Sequence, residues 1–549
     1  MKRTRGYYFA FKAGALAGLV ALIFSFILFL GNVGPFIPET ANQAFIKIVP
    51  AWLEEPMIHS LGYFADLFGV IIATIVTIII YGIFGIIFDR AYSPWTDKLG
   101  KINRSEQFLL YSIFPWLFFG ILVLPLLGTS IFGISANASI FSPYEAYLFP
   151  LGLLVAQLLF GIALASGYKA AGVFEHFPTK VEAHHETVAV SNERRTFIER
   201  SVVFGAAAVL ALTSLGAFVS SSLAAAGSGS VRAGSSYQLA NAPKVFDDPR
   251  LASLVDAEVT SNSNFYQVDI DLVDPSADPN IWRLDVEGAG NSKSYSIDDL
   301  KNLPSISQYT TFECVSNYVN GNLISNANWT GIKISDLLAD AGVNTQNAKY
   351  VVFTSLDGYT VGIPVSKALQ PDSIVAFQMN GVELPQNHGY PLRSVIPGLY
   401  GMMSAKWIMK ISLDDSFYSG YWQSRGYTTT AIINTLAFIL VPNDGSSVSL
   451  SKNGGNVILG GYAFAGDRGI SKVELSFDNG NTWQEATLKP AISNLTWRLW
   501  AYLWTPNPGS YQVYVRATDG LGQQQTSTQA QPFPSGATGY ATISVNVTS

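Results

Sequence analysis

The sequence predicts a multi-domain chain: an α-helical membrane bundle of five spans, then an α+β domain, then an all-β domain. Three observations predict it. Hydrophobic residues make up 49% of the 549 residues against 13% charged, and the mean hydropathy is +0.26, which lies on the membrane side of ordinary globular composition. The apolar excess sits before about Ala226, and the remainder is rich in Ser, Asn, Gly and Tyr. That remainder mixes short β-prone runs with helical stretches to about Asp415, then reads as strands with frequent turns from about Val441. Such a length calls for several domains, which divide as 1–226, a linker over 227–244, 245–440 and 441–549. A net charge of −6 and a pI near 5.5 give no support to nucleic-acid binding.

The stretches 16–30, 70–88, 108–131 and 147–165 are apolar and of roughly spanning length, and 202–225 is a fifth, richer in Ala and Ser. Lys2, Arg3, Arg5 and Lys12 precede the first span. Arg90, Lys98, Lys101 and Arg104 follow the second, and Lys169, Lys180, Arg194, Arg195 and Arg200 follow the fourth. The alternate connections are poor in basic residues. Positive-inside logic puts the N-terminus in the cytoplasm of a cell membrane and everything after about Ala226 outside. Arg194-Arg195-Thr196-Phe197-Ile198 before an Ala-rich apolar segment resembles a twin-arginine export signal, retained here as an uncleaved anchor. A pair of arginines alone equally fits the basic flank of any transmembrane helix; Phe197 at the usual offset favours the signal. None of the five histidines, His59, His176, His184, His185 and His388, lies in a predicted span, so no haem is expected in the bundle. One cysteine forbids a Cys-x-x-Cys-His attachment.

That cysteine, Cys314, cannot form an internal disulfide. A lone cysteine is by default a small buried hydrophobe, and otherwise a reactive thiol or a thiolate ligand to a soft metal. Its surroundings favour the second reading. Tyr309-Thr310-Thr311-Phe312 is a short β-prone run, and a Gly/Asn-rich loop follows, so the sulfur falls near the end of a strand, where loops expose functional groups.

Glu313-Cys314-Val315-Ser316-Asn317, then Gly321, Trp329-Thr330-Gly331 and Ile334-Ser335-Asp336-Leu337-Leu338, resembles the cofactor-binding core of the sulfite oxidase family of molybdopterin oxidoreductases. The likeness continues through His388-Gly389-Tyr390-Pro391-Leu392-Arg393, Pro397-Gly398, Gly401 and Lys406-Trp407, in the family's order, and covers about Ser261 to the C-terminus. The resemblance implies a sulfite oxidase-type α+β domain over 245–440 that holds a molybdenum–molybdopterin cofactor, with Cys314 as the metal ligand. It implies cofactor contacts from Asn264 and Tyr266, from Ser355 at the end of Val351-Val352-Phe353-Thr354-Ser355, from His388 and Arg393, and from Ser404-Ala405-Lys406, whose backbone amides and lysine would hold the same anionic group as Arg393. Arginine suits phosphate because its planar fork gives bidentate, charge-assisted bonds. Phe265 and Tyr266 equally fit a strand packing on the core.

In sulfite oxidases an arginine shortly after the cysteine helps bind the anion. Here Asn317-Tyr318-Val319 carries no cation, which weakens sulfite as the substrate. Catalytic candidates are Cys314, Tyr318 in that altered stretch, and Arg425. The segment Tyr421-Trp422-Gln423-Ser424-Arg425 resembles the family's Trp-Gln-x-Arg, and Arg498 is a second compensating cation. From Val441, the runs 457–462, 472–477 and 511–517 alternate, and Asp478-Asn479-Gly480 offers hairpin chemistry. Gly466-Asp467-Arg468-Gly469-Ile470 and Arg516-Ala517-Thr518-Asp519 resemble the family's immunoglobulin-like dimerisation domain, which implies a homodimer or a larger membrane complex. The leading expectation is extracytoplasmic oxygen-atom transfer that oxidises sulfite or another reduced sulfur compound. Electrons would pass to a separate acceptor protein or quinone-linked subunit. The alternatives are a reductase of sulfoxides or N-oxides, and a non-catalytic surface or structural protein on the same fold.

Overall fold

The computed structural model describes residues 2–30, 35–46, 64–96, 104–127, 145–170, 242–270, 274–288 and 290–549. They fall into two compact units, one helical and N-terminal, the other formed by the described residues from 242 onward. The predicted fifth span, the paired arginines and most of the predicted linker lie outside the described residues.

The helical unit contains Lys2–Leu30, Ile37–Ile46, Phe64–Thr96, Arg104–Leu117 and Glu145–Ala170. Arg104–Leu117 runs on through a π turn at Phe118–Val123. Small residues let backbones meet: a Cβ on Gly14 would lie 2.9 Å from the Cα of Gly85, the close approach that Gly permits in apolar bundles. Aromatic rings fill the interior, with Tyr81 against Phe160 at 4.7 Å and Phe119 at 5.3 Å, and the Gln157 amide donates to the Tyr81 hydroxyl at 2.8 Å. Five spans are expected. Among the described residues, two helices are long and apolar enough to cross a membrane, Ala10–Phe29 and Phe68–Phe88. The third and fourth expected spans appear as shorter apolar helices, Tyr111–Leu126 and Pro150–Ser166.

The cofactor-type domain is built on two five-stranded sheets. The first has the spatial order Asn291–Tyr295, Leu284–Gly288, Ile408–Asp414, Tyr350–Ser355, Thr360–Pro364. Its one parallel pairing joins Leu284–Gly288 to Ile408–Asp414. The second runs Ile306–Glu313, Ile324–Lys333, Ile374–Met379, Val382–Glu383, and Arg393–Val395 pairs antiparallel along Ile374–Met379. The β-prone run at 309–312 lies within the strand Ile306–Glu313. Ile297–Lys301 is a short helix started by a reciprocal capping box between Ser296 and Asp299, and Ile334–Asp340 buries Ile334, Leu337 and Leu338.

The C-terminal region consists of two facing sheets. Leu436–Val441, Val457–Phe464, Arg498–Trp504 and Thr487–Leu488 form one. Ser446–Ser449, Ala541–Thr548, Gly509–Asp519, Ile470–Ser476 and Gln484–Glu485 form the other. Their inner faces share one core that includes Ile439, Leu459, Val473, Trp500, Val515 and Ile543. Asn479 and Gly480 both have positive φ, 60° and 85°, as the predicted turn requires. The sandwich begins ahead of the boundary expected at 441, because Leu436–Val441 already pairs with Val457–Phe464.

No gap separates the two domains. One hydrophobic cluster runs from Phe246, Leu251 and Leu254 through the cofactor-type sheets to Phe438, Ile458 and Leu499. A buried ion pair joins Glu258 to Lys489, side chains 7% and 3% exposed, and the Trp497 indole donates to the Glu258 carbonyl at 3.0 Å. Removing one member of such a pair strands a buried charge, whereas replacing both with apolar groups does not. Lys489→Met alone is expected to destabilise this unit by about 3–5 kcal/mol. The double variant Glu258→Leu/Lys489→Met is expected to return close to the parent in chemical denaturation of the purified chain.

Candidate active site

Cys314 directly follows the strand Ile306–Glu313. Its amide donates to the Leu323 carbonyl at 2.9 Å and its carbonyl accepts from Asn317, so the loop 314–323 closes on itself. Asn317 ties the closure: its Oδ1 accepts from the Leu323 amide and its Nδ2 donates to Glu313 Oε1, both at 3.0 Å. Only glycine fits at 321, where a Cβ would lie 2.5 Å from Asn317 Oδ1. The sulfur faces a cleft of about 810 Å³ of empty space, open mouth included.

The two cations that line the cleft are buried. Arg393 is 4% exposed. Its guanidinium lies 4.8 Å from the ring centres of both Phe312 and Trp329, and its Nη1 donates to the His388 carbonyl at 3.0 Å. Burial lowers its pKa to about 10. Lys406 pairs with Asp269, donates to the Asn387 carbonyl at 3.0 Å and sits 4.2 Å over the Trp407 ring. Burial holds its ammonium well below the usual lysine range. His388 is 2% exposed, its Nε2 is bonded to the Asn262 carbonyl at 2.7 Å, and burial depresses it to about 4, so the imidazole is neutral near pH 7.

Asp357, Tyr359, Met402, Trp422 and Tyr427 also line the cleft. Burial pushes the Asp357 carboxyl up to about 7; it accepts from the Tyr359 amide at 2.9 Å. The Tyr359 hydroxyl donates to the Met402 carbonyl. The phenols of Tyr266 and Tyr359 are both raised, chiefly by burial and in part by the charge of Cys314.

Of the residues singled out from sequence, Tyr266, Cys314, His388, Arg393, Ser404 and Lys406 line the cleft. The rest are placed elsewhere. Asn264 is exposed and its amide donates to the Ser261 carbonyl. Ser355 is buried beside the cleft rather than lining it. Ala405 is buried and its amide donates to Ser394 Oγ at 2.8 Å, while the Ser404 amide donates to the Gly401 carbonyl. Neither amide is available to hold an anion, because the turn between Arg393–Val395 and Ile408–Asp414 engages both. Tyr318 does not line the cleft, because the Cys314 loop turns at Tyr318 and Gly321. Arg425 has its guanidinium 3.4 Å over the Tyr421 ring and its Nη1 donates to the Tyr421 carbonyl at 2.6 Å, while its Nε is buried with no partner among the described residues. Arg498 is engaged inside the sandwich by the carbonyls of Lys489 and Ile470. The sequence reading missed Asp269, Asp357, Tyr359 and Met402. For two of them a signal was present, since Asp357-Gly358-Tyr359 sits between two β-prone runs as a turn would.

At the cleft, Arg393 Nε and Ser355 Oγ are buried with no partner among the described residues. With two buried cations and a thiol lining one cleft, the residues present fit an anionic group that carries a thiophilic metal. Residues 271–422 match the model of the oxidoreductase molybdopterin binding domain, and 428–529 match that of the Mo-co oxidoreductase dimerisation domain. An uncharacterized oxidoreductase of Bacillus subtilis, YuiH, is 32% identical over 147 residues, 27% of this chain and 72% of that protein. The chain belongs to the sulfite oxidase family of molybdopterin oxidoreductases. The mitochondrial sulfite oxidase of Rattus norvegicus is 32% identical over 300 residues, 46% of this chain and 54% of that protein. This chain thus spans about half the length of such curated relatives. Among solved structures, the sulfane dehydrogenase SoxCD from Paracoccus pantotrophus aligns at a TM-score of 0.46 and 21% identity, covering 52% of this chain and 81% of that one.

Beside the family's cysteine, Glu313 is 1% exposed and its Oε2 has no partner among the described residues. Burial raises its carboxyl from 4.5 to about 8, against the bond from Asn317 that lowers it. Between these pH values the folded chain holds a proton that the unfolded chain has released, so stability is full below 4.5 and is lost as pH rises towards 8. Glu313→Gln keeps the shape and removes the titration. It is expected to stabilise the unit by roughly 3 kcal/mol at pH 8 and by little at pH 4, measured by chemical denaturation at the two pH values.

Proposed function

We propose that this chain is a membrane-anchored, molybdenum-dependent oxidoreductase that works outside the cytoplasm, transferring an oxygen atom to a reduced sulfur compound and passing the electrons to a separate acceptor. The observation that carries the reading is the cleft itself, where a single thiol faces two buried cations with orphaned polar atoms beside them. Cys314 would supply the thiolate ligand to molybdenum. Arg393, Lys406 and His388 would hold the anionic side of the pterin cofactor, and Tyr266 would pack against it. When bound, that cofactor supplies two-electron redox chemistry and the oxygen transfer. The protein's share is to orient and to exclude water: the rings around Arg393 keep that cation out of water, and the Asn317 closure fixes the direction of the sulfur. Tyr318 and Arg425, the catalytic candidates from sequence besides Cys314, would act from beside the cleft, Tyr318 in the Cys314 loop and Arg425 stacked on Tyr421. An intact set of cleft residues argues against a non-catalytic structural protein.

The anchor reading extends to five spans with the N-terminus inside. It draws support from a stripe of half-exposed apolar side chains along Phe64–Thr96, namely Phe68, Ile71, Ile75, Ile79, Ile83 and Ile87. At helical spacing, these make one lipid-facing stripe of spanning length. The dimerisation-domain match supports a homodimer through an immunoglobulin-like C-terminal domain.

Metal and pterin analysis of chain made in a molybdenum-replete host tests the reading. Stoichiometric molybdenum and pterin are expected, with turnover abolished in Cys314→Ser; protein that binds neither would sink the proposal. For the anchor, reporters fused after residue 100 and after Ser549 are expected to report opposite sides of the membrane.

A further inference from the structure

The loop that presents Cys314 is closed by its own hydrogen bonds, yet its tip is held by another part of the chain. Val319 packs against both the core of the cofactor-type sheets and the core of the C-terminal sandwich. Asn320 stands in the left-handed region, with φ 62°, a conformation that asparagine tolerates better than most residues. From there Asn320 Oδ1 accepts from the Ile439 amide at 2.8 Å. Ile439 lies on Leu436–Val441, an edge strand of its sheet.

Ile439 is buried, so its amide needs a partner inside the protein. Val457–Phe464 occupies one side of the strand. On the other side, the Ala437 amide donates to Gln525 Oε1 at 3.1 Å and the Ile439 amide to Asn320. Gln525 belongs to the sandwich, whereas Asn320 belongs to the loop that carries the thiol. The ladder with Val457–Phe464 also slips between Ile439 and Val441, so the strand is irregular where the loop grips it. Between Cys314 and Asn320 the chain is tied twice. The Asn317 amide donates to the Cys314 carbonyl at 3.0 Å, and the Gly321 amide donates to the Tyr318 carbonyl at 2.9 Å. A displacement at the sandwich edge therefore reaches the sulfur through two tight turns.

We propose that Asn320 is a positioning residue for Cys314, through which the C-terminal sandwich fixes the direction of the thiol. For its functional meaning the inference rests on the reading of Cys314 as the metal's ligand. Such a ligand is held in orientation by bonds made behind it, and losing outer support of this kind weakens metal binding about 10- to 100-fold. Asn317 gives that support from within the loop; Asn320 gives it from the neighbouring domain. Two substitutions separate the side chain's bond from the backbone's shape. Asn320→Gly accepts positive φ and deletes the acceptor. Asn320→Asp keeps an acceptor oxygen on a residue that also visits the left-handed region.

The test reads Cys314 directly, because the sequence has one cysteine. The rate of alkylation by iodoacetamide is measured in the cofactor-free full chain, and hydrogen exchange of the Ile439 amide is followed in the same samples. Asn320→Gly is expected to speed both by about 5-fold or more, and Asn320→Asp to stay within about 2-fold of the parent. In the molybdenum-loaded chain, Ile439 exchange is expected to be slower than in the cofactor-free chain. Asn320→Gly is expected to abolish that difference, since coupling between two sites is reciprocal. Faster Ile439 exchange in Asn320→Gly with unchanged alkylation would overturn the inference and leave the metal reading standing. So would a parent chain whose thiol reacts as fast as it does in urea. A parent chain that takes up no molybdenum would overturn the metal reading, and the alkylation rates would still decide whether Asn320 positions the thiol.

Discussion

Two cations held out of water constrain everything else about the cleft. A buried guanidinium or ammonium is costly unless something offsets the lost hydration. Arg393 is offset by two ring faces, one carbonyl and, on the reading proposed here, an anionic cofactor. The sheet makes that sandwich possible. Ile306–Glu313 and Ile324–Lys333 pair antiparallel, which stacks Phe312 and Trp329 at 5.2 Å. Ile374–Met379 then carries Arg393–Val395 alongside, bringing the guanidinium over both rings. The strand that supplies Phe312 ends at Glu313, directly before Cys314, so one register sets both the cation and the thiol.

Part of the cleft lining depends on a different part of the chain. Trp422 and Tyr427 follow the last strand of the cofactor-type sheets, and Phe533 of the C-terminal region props them. The sandwich therefore contributes to the shape of the cleft although none of its described residues lines it. That arrangement ties the two family domains together at the site as well as in the core.

Local pattern carried a good part of this structure. The strand before Cys314 was legible from β-prone residues, and the Asn479-Gly480 turn from its dihedral chemistry. The cleft-lining His388, Arg393 and Lys406 were legible from a motif whose order survives in one chain. Failures came where a side chain had alternatives of equal chemistry. An arginine bonds a carbonyl or stacks on a ring as readily as it meets an anion, so the orientations of Arg425 and Arg498 were not written in their neighbours. The amides of Ser404 and Ala405 were engaged by pairing that only the folded sheet reveals. Asp269 gave no signal because its partner Lys406 comes from a distant part of the chain. The parallel pairing of Ser446–Ser449 with Ala541–Thr548 was invisible for the same reason.

The docking of 244–256 onto the sandwich has a consequence for the order of folding. Leu251 and Leu254 lie against Gly460, and Glu258 meets Lys489 across 231 residues of sequence. Contacts of such separation close late, because loop-closure entropy must be overcome before they form. A nascent chain therefore carries its first segment of this unit unsatisfied until the C-terminal strands have been synthesised. Until then Phe246, Leu251 and Leu254 have no sandwich strand to bury against, and the early segment carries exposed apolar surface of the kind that promotes misassembly.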